Sequence, residues 1–129
     1  MVSEHLNSFL CYMNVLARRI SSKNHLSLSQ YYTLTNISSN GISMSELSLM
    51  VGVDNSTLTR NINILINRSL VKKEQSTEDK REHHVLLSSK GGKIVEKLDI
   101  DMEKLLNHLK KSLYAILLQK LTYYLNKKL

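Results

Sequence analysis

Residues 43–70 read SMSELSLMVGVDNSTLTRNINILINRSL, and this stretch predicts two helices joined by a tight turn. Ser43 and Glu46 form a capping-box pattern, which should start the first helix. Gly52 can adopt the positive φ that ends a helix, and the carboxylate of Asp54 can accept hydrogen bonds from the first N–H groups of the second helix. The stretch therefore predicts a helix-turn-helix.

The second helix, from Asn55 to about Arg68, should bury one face and expose the other. Apolar residues recur at spacings of three and four, and polar residues do the same on the opposite side: Leu58, Ile62, Leu65 and Ile66 against Ser56, Arg60, Asn63 and Asn67. Hydroxyl, amide and guanidinium groups hydrogen-bond to phosphates and base edges, and a single helix fits the major groove of DNA. An ordinary surface helix has the same polar face, so the pattern alone leaves both interpretations open.

A β-hairpin should follow the second helix. Residues 70–74 (LVKKE) and 83–87 (HHVLL) are strand-like runs, and they flank a polar, charged tip over 75–82. A helix-turn-helix followed by such a hairpin is a winged helix.

Four spaced motifs accompany these elements: Ser56-Thr57-Leu58-Thr59-Arg60, Leu70-Val71, Asp79-Lys80-Arg81, and Val85-Leu86-Leu87-Ser88 followed by Gly91. In their order and spacing, they resemble the MarR family of bacterial winged helix-turn-helix regulators, over about residues 26–98. The resemblance implies a mostly α fold with a small β wing (α+β). It implies a winged-helix core over 26–88, with dimerisation helices over 1–25 and 89–129. It also implies a transcriptional regulator, more commonly a repressor than an activator.

The rest of the chain predicts helices with broad apolar stripes. Helices are expected over 4–22, from about 27 to 37, from 88 or 89 to about 107, and over 110–127. The apolar stripe of the first helix consists of Leu6, Phe9, Leu10, Met13, Leu16, Ala17 and Ile20. That of the last helix consists of Leu113, Ile116, Leu117, Leu121, Tyr124 and Leu125. A buried Leu or Ile side chain contributes roughly 1.5–3 kcal/mol, and a domain's net stability is only roughly 5–15 kcal/mol. We therefore expect the first and last helices to pack against a second copy of the chain.

Length and composition restrict the class of protein. The 129 residues amount to one domain, and a sequence with no proline and four glycines marks no linker. Eighteen Lys and Arg against eleven Asp and Glu give a net charge of +7, which favours nucleic acid as a partner. The basic residues are spread along the chain rather than gathered on one amphipathic helix, which argues against a membrane surface. With one cysteine and no apolar run long enough to span a membrane, we expect a cytoplasmic protein.

A dimer would carry two recognition helices. Two copies related by a two-fold axis enter successive major grooves of double-stranded DNA when they lie roughly 34 Å apart, so the operator should be pseudo-palindromic. We expect five side chains of the second helix to contact bases and phosphates: Ser56, Thr57, Thr59, Arg60 and Asn63. Arg60 is the best candidate for a bidentate contact with guanine.

The wing should add contacts at its tip and along its first strand. Lys80 and Arg81 lie where a side chain can reach the minor groove, and Lys72 and Lys73 are expected to lie near phosphates. By resemblance, Asp79 pairs with an arginine and fixes the shape of the tip. The alternative is that residues 78–82 are a solvated loop of mixed charge.

Cys11 has two interpretations. Its position in the first helix resembles that of the reactive thiol in oxidant-sensing members of the family, with Tyr12, Arg18 and Tyr31 as conceivable partners. In those sensors a tyrosine commonly follows one helical turn later, where this chain has Val15. A small buried hydrophobe in a dimerisation helix is therefore the preferred interpretation.

A small apolar or anionic effector is a further partner implied by resemblance. Its pocket, between the dimerisation helices and the DNA-binding core, would be lined by Met13, Leu16, Tyr31 and Leu34.

Metal and catalytic chemistry find little support in the sequence. His83 and His84 are adjacent on a strand and point to opposite faces, so a regular strand cannot bring both to one ion. The chain has no glycine-rich phosphate loop, nucleophile elbow or HExxH pair, so no cofactor, metal or enzymatic activity is predicted. The prediction is a homodimeric, sequence-specific DNA-binding regulator. A winged helix that binds another protein instead of DNA is the alternative.

Overall fold

The computed structural model describes residues 2–128, without the side chains of Val2, Leu113, Ile116, Leu117, Lys120, Tyr124 and Lys128. In this part of the chain the elements are, in order, α1 (Val2–Lys23), α2 (Leu28–Thr35), β1 (Ile42–Ser43), α3 (Met44–Val51), α4 (Asn55–Asn67), β2 (Val71–Gln75), β3 (His83–Leu87) and α5 (Ser89–Lys128). The fold is mostly α with a small antiparallel sheet, as the sequence predicts.

The helix-turn-helix forms where its capping residues predict it. The side chain of Ser43 accepts a hydrogen bond from the N–H of Glu46 at 3.1 Å, and α3 begins at the next residue, Met44. Gly52 ends α3 with a φ of 69°, and Asp54 caps α4. Because these signals are local, both helices begin at their predicted residues.

The wing is an antiparallel hairpin in which Val71 lies opposite Leu87 and Gln75 opposite His83. Its first strand begins one residue later than predicted. The sheet has a third strand, β1, which pairs with the other side of β3 and was not predicted. Two residues are too few to show strand periodicity, so only the tertiary structure reveals this strand.

One core joins the winged helix to the long helices. The fully buried members are Leu34, Leu47, Leu58, Ile62, Leu65, Val85 and Leu98. Leu98 comes from α5, and Ala17 and Ile20 of α1 are also buried. At the N-terminus of α2, Ser27 and Gln30 make both hydrogen bonds of a capping box.

The C-terminal segment differs from the prediction. Two helices, to about 107 and from 110, were expected, whereas α5 is one continuous helix of 40 residues. After Gly92 this segment contains neither glycine nor proline, so no residue interrupts the backbone hydrogen bonds. Of the stripe predicted for the last helix, Leu121 and Leu125 are exposed, and Leu113, Ile116, Leu117 and Tyr124 lie outside the described side chains.

The C-terminal half of α1 packs against its own protomer, whereas the N-terminal half does not. Ala17 and Ile20 are buried, whereas Leu6, Phe9 and Leu10 are each more than half exposed. None of the described helices combines the length and the hydropathy needed to cross a membrane.

Candidate nucleic-acid interface

Helix α4 is held at its N-terminus by the carboxylate of Asp54. This carboxylate accepts hydrogen bonds from the N–H of Thr57 at 2.6 Å and from the hydroxyl of Ser56 at 2.8 Å. These bonds, that of the Thr57 N–H above all, lower the pKa of Asp54. The Ser56 hydroxyl therefore donates within the protein, and it has lone pairs left to accept a hydrogen bond.

The two faces of α4 divide as predicted. Leu58, Ile62 and Leu65 have no exposed surface, whereas Thr59, Arg60 and Asn63 are exposed and Thr57 is half-buried. Hydroxyl, guanidinium and amide groups therefore project together from one side of a helix that is fixed by its other side.

Polar contacts hold α4 against the start of α2. The buried amide of Asn61 donates to the hydroxyl of Ser29, and the guanidinium of Arg68 donates to the carbonyl of His25 at 2.8 Å. Sequence reasoning missed both contacts because the partners are 32 and 43 residues apart. Together with the apolar packing of α4, these hydrogen bonds favour one orientation of its exposed face.

The tip of the wing is organised around Asp79. Its carboxylate accepts from the N–H of Arg81 at 2.9 Å, and its carbonyl accepts from the N–H of Glu82 at 3.0 Å. No ion pair joins Asp79 to an arginine side chain within residues 2–128, so its partners here are main-chain groups. The bonds make a tight turn that leaves the side chains of Lys80 and Arg81 exposed.

The two lysines of β2 point to opposite faces of the sheet. Lys72 lies opposite Leu86 and Lys73 opposite Val85, and neighbouring residues on a strand alternate in direction. Both are exposed. A duplex on one face of the wing can therefore receive a direct contact from only one of them.

Between the wing and α3 lies an open groove of about 470 Å³ with four carboxylates in its lining: Glu46, Glu74, Glu78 and Glu82. Including these four, the segment from β1 to β3, residues 42–87, carries six acidic and six basic residues. The winged helix is therefore electrically neutral, although the whole chain is at +7.

The residues predicted for oxidant or effector sensing lie on α1 and α2. Cys11 is exposed in the protomer, and in the described part of the chain no hydrogen bond joins it to Tyr12, Arg18 or Tyr31. The preferred interpretation of Cys11 therefore requires a covering partner.

Tyr31 and Leu34 are buried in the core, whereas Met13 and Leu16 are half-buried. Burial, then the charge of Asp99, raises the pKa of Tyr31. Among the described residues, none of the open cavities that we identified is lined by these four side chains. Their role as an effector pocket therefore stays a prediction.

Comparison with known proteins agrees with this architecture. The sequence model of the MarR family matches residues 26–83. No curated protein matches the sequence. Wild-type apo MarR from E. coli superposes with a TM-score of 0.81 at 25% identity, covering 100% of this chain and 96% of that one.

Two other solved structures share the fold. The MarR protein from Peptoclostridium difficile has a TM-score of 0.69 at 24% identity, covering 98% of this chain and 88% of its own. NadR in complex with 4-hydroxyphenylacetate has a TM-score of 0.73 at 16% identity, covering 97% and 92%.

Proposed function

We propose that this chain is a homodimeric repressor of the MarR family, whose sequence model matches residues 26–83, and that it binds a pseudo-palindromic operator. In this proposal α4 enters the major groove and the wing reaches the adjacent minor groove. The protein acts by occupying DNA, without catalysing a reaction.

The observation that carries the proposal is the exposed face of α4. Arg60, Thr59 and Asn63 project from a helix whose opposite side is packed in the core and hydrogen-bonded to the start of α2. A fixed helix with a guanidinium and an amide can discriminate base pairs in the major groove, where each pair has its own pattern of donors and acceptors. Ser56 and Thr57, at the capped end of α4, are proposed to contact phosphates.

The exposed apolar side chains of α1 and α5 support the dimer. Large patches of this kind mark interfaces in otherwise polar proteins. They lie outside the winged helix, and their described members include Leu6, Phe9, Leu10, Val15, Leu106, Leu109, Tyr114, Leu118, Leu121 and Leu125. We propose that the two copies pack through these faces, which sets the separation of the two α4 helices.

Response to a small molecule is a further part of the proposal. NadR, which shares the fold, is known in complex with 4-hydroxyphenylacetate. An effector that changes the separation of the two α4 helices would weaken binding to the operator, since half-site spacing is fixed by the DNA helix.

The test is selection of bound sequences from a random duplex library, followed by binding to the selected operator. We expect two inverted half-sites about one helical turn apart. Arg60→Ala should cost about 1–3 kcal/mol on the operator and relax the preference at one position of each half-site. A library that yields no preferred sequence, with no duplex bound, would favour the protein-binding alternative.

A further inference from the structure

The positive charge of this protein lies on its long helices rather than on its winged helix. Residues 42–87 are neutral, whereas residues 88–129 carry nine basic and four acidic residues, and residues 1–41 carry three and one. A protein that binds DNA only through its winged helix has no evident need for this distribution, because phosphate contacts are made where the cations are.

On α5, five lysines and one histidine lie along one face of the helix, with Asp101 in the gap between Lys97 and Lys104. Six basic side chains follow one another at spacings of three, four, seven, four and three residues, and all of them are exposed: Lys90, Lys93, Lys97, Lys104, His108 and Lys111. These spacings keep the side chains on one face of a helix. We call this set the α5 basic stripe. It extends over about 31 Å, at about 1.5 Å per residue.

The stripe forms part of the polar face of α5. Beyond Lys111 the same face continues, at spacings of three and four, through four exposed small or polar residues: Ala115, Gln119, Thr122 and Asn126. The exposed apolar residues Tyr114, Leu118, Leu121 and Leu125 recur on the adjoining face, and Lys111, seven residues before Leu118, lies at its edge. A partner protomer that covers this apolar face should therefore leave the stripe from Lys90 to His108 in solvent.

Helix α1 widens the stripe near its middle. Arg19 and Lys23 meet Lys104 and His108 around a cleft of about 370 Å³. The carboxylate in this cleft belongs to Asp101, which Lys23 contacts at 3.0 Å and Asn24 at 3.5 Å. The Lys23–Asp101 pair has no net charge, so Arg19 and Lys104 carry the net positive charge of this cleft.

We propose that the α5 basic stripe binds the phosphate backbone of duplex DNA beyond the segment that α4 reads. The inference rests on the proposed function in that it takes DNA as the partner. The stripe starts beside the C-terminal end of α4, where Lys90 donates a hydrogen bond to the carbonyl of Arg68 at 3.1 Å. The contact is independent of sequence, because lysine ammonium groups along a helix read charge rather than base edges.

An anionic membrane is the less favoured partner of the same charge. Membrane-surface helices bury an apolar face in the bilayer. Beside the first half of the stripe this face of α5 is already occupied, since Leu98 is fully buried and Ile94 packs against the core, and the exposed apolar face farther along α5 is assigned to the partner protomer. The stripe can offer a membrane only charge.

The test compares two double variants that lose the same charge. Lys93→Gln with Lys97→Gln removes the centre of the stripe, and Lys110→Gln with Lys127→Gln removes two lysines from other faces of α5. Binding of each protein is measured against salt concentration on a duplex that only covers the selected operator and on one extended at both ends. Light scattering and circular dichroism confirm that both variants keep the assembly state and helicity of the parent.

On the extended duplex, the stripe variant should show a slope of log K against log salt shallower by about 3.6, since the dimer loses four phosphate contacts, two per protomer, and each contributes about 0.9. The control variant and the short duplex should show no such change. Equal slopes for the two variants on the extended duplex would overturn the proposal. The proposal would also be overturned if the parent and the control variant bound phosphatidylglycerol vesicles, the stripe variant did not, and the salt slopes of the stripe variant on DNA were unchanged. Arg60→Ala tests the proposed function separately, because it changes operator preference and leaves the slope on flanking DNA alone.

Discussion

At the scale of single residues, Gly91 decides how closely α5 approaches the wing. A Cβ atom at this position would lie 1.9 Å from the carbonyl oxygen of Leu70. The approach is fixed by Ser88, whose N–H donates to that same carbonyl at 3.0 Å and whose hydroxyl donates to the carbonyl of Ser69 at 2.6 Å. The glycine is required by this contact, not by an unusual φ.

Gly91→Ala should therefore destabilise the protein by about 1–3 kcal/mol or more, because the backbone of Leu70 must move. The neighbouring Gly92 has nothing within 4 Å of its Cβ position, so Gly92→Ala should instead stabilise the helix by about 0.5–1 kcal/mol. Urea denaturation of both variants measures the difference. Equal stability of the two would show that the contact with Leu70 is easily relieved.

Asp101 should make the free energy of unfolding depend on pH. The hydrogen bond from Lys23 lowers the pKa of its carboxyl group. A carboxyl group whose pKa is lower in the folded state stabilises that state above its unfolded pKa, and this contribution disappears as the pH falls through the folded pKa. Asp101→Asn should therefore be less stable than the parent at neutral pH, with a difference that vanishes in acid. Unfolding free energies measured from neutral to acid pH check this, and a difference independent of pH would contradict it.

At the scale of elements, the wing allows the electrostatic effect of a residue on DNA binding to be distinguished from its effect on the conformation of the turn. Removing the negative charge of Asp79 should strengthen DNA binding if only electrostatics mattered. Its carboxylate, however, holds the N–H of Arg81 and so fixes the turn that presents Lys80. We expect Asp79→Ala to weaken operator binding, measured by fluorescence anisotropy.

Glu78→Ala is the matched control for the wing. It removes the same charge from the neighbouring position, where no hydrogen bond of the described tip uses the carboxylate. Binding should be unchanged or tighter. If both variants bound more tightly, Asp79 would have no structuring role.

At the scale of the whole molecule, the exposed apolar faces of α1 and α5 are the proposed dimer interface. Leu118 and Leu121 are 65% and 57% exposed. Leu118→Glu with Leu121→Glu should yield a folded monomer, because two charges cannot be buried at an interface without partners. Light scattering measures the mass, and circular dichroism shows whether the winged helix is retained.

Thr122→Glu adds a charge on the polar face of the same turn of α5 and should leave the dimer intact. A dimer that persisted in the double variant would place the interface elsewhere. The monomer should bind the operator far more weakly than the dimer, since it holds one half-site instead of two.

Charge is also a property of the whole molecule. The +7 net charge indicates a polyanionic partner, but it does not show which surface meets that partner. The basic residues appear dispersed in the sequence, yet on α5 they gather into one stripe. The expectation of dispersed charge was therefore wrong for this helix. Its physical cause is the continuity of α5: two helices with a break near residue 108 would have placed Lys104 and Lys111 in unrelated directions.

The sequence by itself determined the helix-turn-helix, the wing and the exposed face of α4. Their signals are local: the caps at Ser43 and Asp54, the turn at Gly52, and periodicities of two and 3.6 residues act within a few positions of the chain. The tertiary structure decided what depends on distant partners. Strand β1 exists because β3 offers it a hydrogen-bonding edge. Asn61 and Arg68 hold α4 through hydrogen bonds to residues far away in the sequence. The zero net charge of the winged helix is informative only in comparison with the basic stripe on α5.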